Sequence, residues 1–149
     1  MKSLLSLLLG VCIAWTANAA PPDTEKLLKA AEAGDTARIE ALLAGGVNVD
    51  ERDKRGFTPL MYAAANDRIA AIELLIRRGA DVNAQSDIGE TALICAVRYG
   101  RGKRETLKAL IDAGANVNVV MNDGGSALSW AKRKNRPEAI ALLAQAGAR

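Results

Sequence analysis

Cys95 is the first residue to test for chemistry, because a thiol can be a nucleophile, a redox centre or a metal ligand. Each role needs company. A reactive thiol needs a base or a cationic, accessible setting that lowers its pKa, and this chain contains no histidine. That lack removes Ser-His-Asp and Cys-His arrangements and zinc sites of the usual kind. The second cysteine, Cys12, lies in the apolar start of the chain, and its loss on processing would leave Cys95 without a disulfide partner. Asp50-Glu51 is a carboxylate pair on a loop, with no cue to a pocket. Gly100-Arg101-Gly102-Lys103 has neither the spacing nor the preceding strand of a phosphate loop. No catalytic, cofactor-binding or metal-ligating residue is assigned, and the chain is not read as an enzyme. Cys95 falls between Leu93 and Ala96, so its structural reading is a small buried hydrophobe. A Cys95-dependent redox protein stays as the alternative.

What is left is binding, and the elements that would support it repeat. From Gly56 to Gln85 the sequence reads GFTPLMYAAANDRIAAIELLIRRGADVNAQ. Thr58 suits a helix N-cap and Pro59 its first turn. Leu60, Ala63 and Ala64 recur at helical spacing, and Asn66-Asp67 interrupts them. A second amphipathic run from Ile69 to Ile76 stops at Gly79, a C-cap position. Such a helix pair cannot bury its apolar face alone. Thr58-Pro59-Leu60 returns 33 residues later as Thr91-Ala92-Leu93, and 35 residues after that as Ser126-Ala127-Leu128. Gly79-Ala80-Asp81-Val82-Asn83 is echoed by Gly114-Ala115-Asn116-Val117-Asn118. The longer interval places two extra residues, read as Arg101-Gly102, between the helices of the third repeat.

The period and these phrases resemble the ankyrin repeat, whose Thr-Pro-Leu-His signature recurs at 33 residues. The resemblance covers about Asp23 to the end of the chain. It implies an all-α fold: an ankyrin-repeat solenoid of four helix-turn-helix repeats with hairpin-like inter-repeat loops. The repeats fall at about 23–52, 53–85, 86–120 and 121–149, in one domain. With aromatics at only 3% and an abundance of Ala, the composition suits helices that approach closely. The sequence departs from the family where His would follow the Leu of each signature. Met61, Ile94 and Ser129 stand there, and loops tied less firmly than in the consensus are expected.

The first residues differ in kind. Met1-Lys2 is a short positive start, Leu4 to Trp15 is apolar with Ser6 as its polar break, and Ala17-Asn18-Ala19 fits a small-x-small cleavage site. This pattern predicts a signal peptide over residues 1–19, cut before Ala20. The apolar run is too short to span a bilayer comfortably, so no stable membrane insertion is expected after cleavage. The localisation implied is periplasmic or secreted. A net charge of +3 lacks the dense basic face of a nucleic-acid binder.

The partner expected is a protein, bound by a monomer. In ankyrin-like stacks the loop tips and the exposed side of the inner helices line a concave surface. Carried onto this chain, that surface contains Arg52, Lys54, Arg55 and Phe57. The next repeat adds Ala65, Asn66, Gln85, Asp87, Ile88 and Glu90. Arg98, Tyr99, Asn122, Asp123, Arg133 and Lys134 complete it. Phe57, Ile88 and Tyr99 are the candidate anchors, since exposed aromatic and apolar side chains become hot spots. For Phe57 and Tyr99, packing against neighbouring loops is the competing reading. The chain resembles small exported bacterial ankyrin-repeat proteins, some of which are linked to catalase and peroxide resistance. A secreted effector that binds a host protein is the other function considered.

Overall fold

The computed structural model describes residues 22–149; the expected signal segment and its cleavage site lie outside the described residues. Eight helices follow one another: α1 (Pro22–Ala33), α2 (Thr36–Ala44), α3 (Pro59–Ala65), α4 (Ile69–Arg77), α5 (Ala92–Arg98), α6 (Arg104–Asp112), α7 (Ala127–Arg133) and α8 (Pro137–Gln145). No strand occurs among the described residues; an isolated antiparallel bridge joins Val120 and Ser126. Three hydroxyls set the register of the inner helices. Thr58, Thr91 and Ser126 have extended backbones, and their oxygens accept from the N–H of Met61 (3.4 Å), Ile94 (3.3 Å) and Ser129 (3.2 Å). Each satisfies an N–H that the helix leaves unpaired.

Odd-numbered helices pack side by side in one layer, even-numbered helices in a second, and the two helices within each repeat (α1–α2, α3–α4, α5–α6, α7–α8) close a hairpin. Leu27, Leu60, Leu93 and Leu128 enter the core from the inner layer, and Ile39, Ile72, Leu75, Leu107, Leu110 and Leu143 from the outer. Ala63, Ala64, Ala96 and Ala131 are fully buried between them. Small side chains at these positions let the inner helices lie close, which explains how so few aromatic residues suffice. Met61 and Ile94, in the family's His position, are buried too. Ser129 instead closes a capping box, its hydroxyl accepting from the Ser126 N–H at 2.8 Å.

The loops are tied by other means than His. Asp50 accepts from the Asp81 N–H (3.0 Å), Asn83 from the Asn116 N–H (2.7 Å), and Asn118 from the Arg149 N–H (3.0 Å). Asn83 and Asn118 also donate, to the carbonyls of Gly114 (3.1 Å) and Gly147 (3.2 Å). This ladder runs along the exits of the outer helices. At the loop tips the Asp87 N–H donates to Arg55 O (3.0 Å) and the Asn122 N–H to Ile88 O (3.1 Å). Arg52 spans the same gap, its guanidinium 2.7 Å from Gln85 O. The expectation of loosely tied loops is thus corrected: short Asp and Asn side chains reach the next repeat's backbone directly.

The inner-to-outer turn of the third repeat spans five residues, Tyr99–Lys103, against three, Asn66–Arg68, in the second. A left-handed residue stands just before the outer helix in every repeat: Gly34 (φ 76), Asp67 (φ 53), Gly102 (φ 61) and Asn135 (φ 51). Gly102 therefore fills the ordinary turn position, and the two extra residues are Gly100-Arg101 rather than Arg101-Gly102. Gly100 is held against the neighbouring helix. A Cβ there would stand 2.6 Å from Ala96 O and 3.1 Å from Ala64 O. Asp67 secures the insertion, accepting from the Arg101 N–H (2.8 Å) and the Thr106 hydroxyl (2.9 Å).

Candidate functional site

The exposed side of the inner helices begins with a loop-tip network in the second repeat. Asp53 accepts from the N–H of Arg55 (2.8 Å) and Phe57 (2.9 Å) and from the Tyr62 hydroxyl (2.7 Å). Burial pushes the Asp53 carboxyl up, but these three donors outweigh it and hold it below its ordinary value. Tyr62 is pushed up, first by burial and then by its bond to Asp53. Beside this network a cleft of about 190 Å³ opens between α1, α3 and α5, lined by Glu32, Arg55, Phe57, Tyr62, Asn66 and Tyr99 among others.

Phe57 is the main correction to the anchor set. Its side chain is only 8% exposed and belongs to the core. Its ring lies 5.9 Å from that of Tyr62, and the Arg55 guanidinium covers it at 4.8 Å. The apolar ring packs under the loop because the Asp53 turn folds over it. Glu90 is the second correction. It is fully buried, not surface-facing, and its Oε1 lies 2.6 Å from Arg98 Nη1. Its Oε2 has no hydrogen-bond partner.

Tyr99 and Ile88 do stand outside, 52% and 45% exposed. Arg98 lies over the Tyr99 ring at 5.1 Å and over the Trp130 ring at 4.6 Å, and Arg133 lies over Trp130 at 4.4 Å. The structure therefore assembles a row of Tyr99, Arg98, Trp130 and Arg133 across the third and fourth repeats. Guanidinium groups over aromatic faces are held in place while keeping donors free. Burial, then the Glu90 carboxylate, pushes the Tyr99 phenol up to about 12.

The remaining positions are scattered around this row. Lys54, Asp87, Asp123 and Lys134 are exposed. Asn66 is exposed but donates to Tyr62 O at 2.9 Å, and Asp123 accepts from the Gly125 N–H at 2.9 Å. Arg52 is occupied in the loop tie described above. Trp130 was absent from the sequence expectation, although the register could have found it. It stands four residues after the capping Ser126, as Tyr62 does after Thr58 and Cys95 after Thr91. Cys95 itself is fully buried, and burial followed by the nearby Glu90 carboxylate pushes its thiol up. A thiol so placed stays protonated and out of reach, so it has the chemistry of a core side chain.

Comparison with known proteins gives one consistent result. A family model for ankyrin repeats (3 copies) matches residues 3–86 and 73–149. The protein named Ankyrin repeat, SAM and basic leucine zipper domain-containing protein 1 of Dasypus novemcinctus is 32% identical over 127 residues, which are 83% of this chain and 26% of that protein. Its counterpart in Equus caballus is 34% identical over 120 residues, 78% of this chain and 25% of the relative. The chain thus spans about a quarter of the length of the curated relatives it matches. What is shared is the stack of repeats, and by it this chain belongs to the ankyrin-repeat family, whose stacks are protein-interaction modules and typically not enzymes.

Proposed function

We propose that the protein is a non-enzymatic binding module of the bacterial cell envelope that holds a partner protein on its inner-helix and loop-tip face. The observation that carries the binding site is the row Tyr99, Arg98, Trp130 and Arg133 beside the cleft under Arg55. It joins exposed aromatic surface to preorganised guanidinium groups, the residue types enriched in interface hot spots. The face is unevenly charged. The buried Glu90 and its partner Arg98 cancel, which leaves Asp87 and Asp123 among the positions assigned to it, against Arg52, Lys54, Arg55, Arg133 and Lys134. A partner segment with an aromatic or aliphatic centre and acidic flanks fits it.

Export rests on the signal-like sequence of residues 1–19, and the envelope setting with a role in peroxide resistance rests on the resemblance to small exported bacterial repeat proteins. No helix among the described residues is long and apolar enough to cross a membrane. A test is capture from envelope extract by the native protein and by a Tyr99→Ala, Trp130→Ala variant. The double variant is expected to bind the captured partner about 2 kcal/mol or more weakly while keeping its helical spectrum, as loss of aromatic anchors does. Unchanged affinity in a folded variant rejects this face as the binding site.

A further inference from the structure

The inner-to-outer turns lie at the far end of the inner helices from the loop tips. Where the five-residue turn of the third repeat meets the turn of the fourth, a cleft of about 340 Å³ opens. Arg101, Lys103 and Arg136 line it, with Glu138 as the one carboxylate among its lining residues. None of the three cations takes part in a salt bridge among the described residues. Asp67 stands beside this turn, its two oxygens accepting from the Arg101 N–H and the Thr106 hydroxyl, and makes no salt bridge to the three cations; its charge offsets only part of theirs.

Three further features mark the cleft as suited to an acceptor. Nη1 of Arg136 meets no acceptor in the protein and has almost no exposed surface, so an oxyanion would reach it only after the half-buried side chain turns toward the cleft. Such a group costs free energy that a bound oxyanion would return. Gly102 keeps the space open: a Cβ there would stand 3.2 Å from Arg136 Nη1 and 3.7 Å from the Ala139 side chain. At one wall α8 begins with Pro137, and no side chain caps it. The N–H groups of Glu138 and Ala139, at the positive end of the helix, are left for an anion.

We propose that this cleft is an oxyanion site that takes a phosphate group, held by Arg101, Lys103 and Arg136 against the start of α8. Three cations and uncapped N–H groups match the several oxygens and double charge of phosphate better than a carboxylate. The two-residue insertion, Gly100-Arg101, makes the site: it lengthens this turn alone and supplies one of its cations. The site is independent of the inner-helix face. The phosphate could be free or carried on a lipid headgroup, and the chemistry of capture is the same.

The test is a titration of the ¹⁵N-labelled protein with inorganic phosphate, against chloride at matched ionic strength. Saturable shifts are expected in the amides of Gly102, Glu138 and Ala139 and in the Arg136 side chain, with phosphate only. Arg101→Gln with Arg136→Gln should weaken binding about tenfold or more, the size of lost charge-assisted hydrogen bonds. Gly102→Asn, which tolerates positive φ, should do the same by filling the cleft. Co-sedimentation with phosphatidic acid vesicles, competed by inorganic phosphate, identifies the lipid source; binding of inorganic phosphate without vesicle binding identifies the free one. Equal shifts with chloride, or native affinity in both variants, overturns the proposal.

Discussion

Glu90 occupies the position that Phe57 fills one repeat earlier and Gly125 one repeat later. The three repeats solve one packing problem in three ways. Phe57 fills the space with a ring, and Gly125 leaves it to Trp130, whose Nε1 would lie 2.8 Å from any Cβ there. Glu90 fills it with a carboxylate that depends on Arg98. Removing one partner of a buried ion pair leaves the other charge uncompensated. Arg98→Ala is therefore expected to cost about 3–5 kcal/mol in urea denaturation, and Arg98→Ala with Glu90→Phe to recover most of it by copying the second repeat. If Arg98→Ala is neutral, the pair does not hold this slot. Of this, only the packing of Phe57 was open in the sequence, as the reading that competed with its role as an anchor; the burial of Glu90 was not. Glu90 reads as a surface residue, and Phe57 as a candidate anchor, because each precedes a helix cap on a polar loop. Only the fold of the Asp53 turn, and the reach of Arg98 from eight residues on, shows that the slot faces inward.

At the scale of the elements, the sequence announced the helices well. Thr58, Thr91 and Ser126 as caps, and the glycines that end the outer helices, mark boundaries through local rules that need no tertiary information. The recurring Asp and Asn of the exit loops were visible too, but not their purpose, because each bonds a backbone about one repeat away. Asn83 is the centre of that ladder, accepting from Asn116 and donating to Gly114. Asn83→Ala is expected to cost about 1 kcal/mol, the net worth of such bonds at an exposed site. Its clearer signature is faster hydrogen exchange at the Asn116 amide while the α5 amides keep their protection. Unchanged exchange at Asn116 would show that the ladder does not tie the loops. The turn insertion shows the same division between local and distant information. Its length could be counted in the sequence, but its position could not, because the left-handed residue that resets the register is known only from the backbone.

The whole molecule is a stack in which each repeat touches its neighbours, so its stability is a chain of nearest-neighbour terms. Leu75 and Leu143 separate that idea from simple burial. Both are fully buried leucines at matching positions of outer helices α4 and α8. Helix α4 packs on α2 and α6, whereas α8 packs on α6 among the outer helices. Either change to Ala deletes the same atoms, at about 2–5 kcal/mol in a core that cannot collapse. The consequence should differ by place. Leu75→Ala is expected to lower hydrogen-exchange protection from α3 through α6, because it loosens two interfaces at once. Leu143→Ala should let α7 and α8 exchange first while α3–α5 stay protected, since local opening at one end leaves the other couplings intact. Uniform loss of protection in both variants would mean that the repeats unfold as one block. The phosphate cleft takes residues from the α5–α6 turn and from the start of α8, so both changes should reach it: Leu143→Ala through the α8 wall and Leu75→Ala through α6, with the larger loss of phosphate capture expected for Leu143→Ala, whose own helix forms a wall of the cleft.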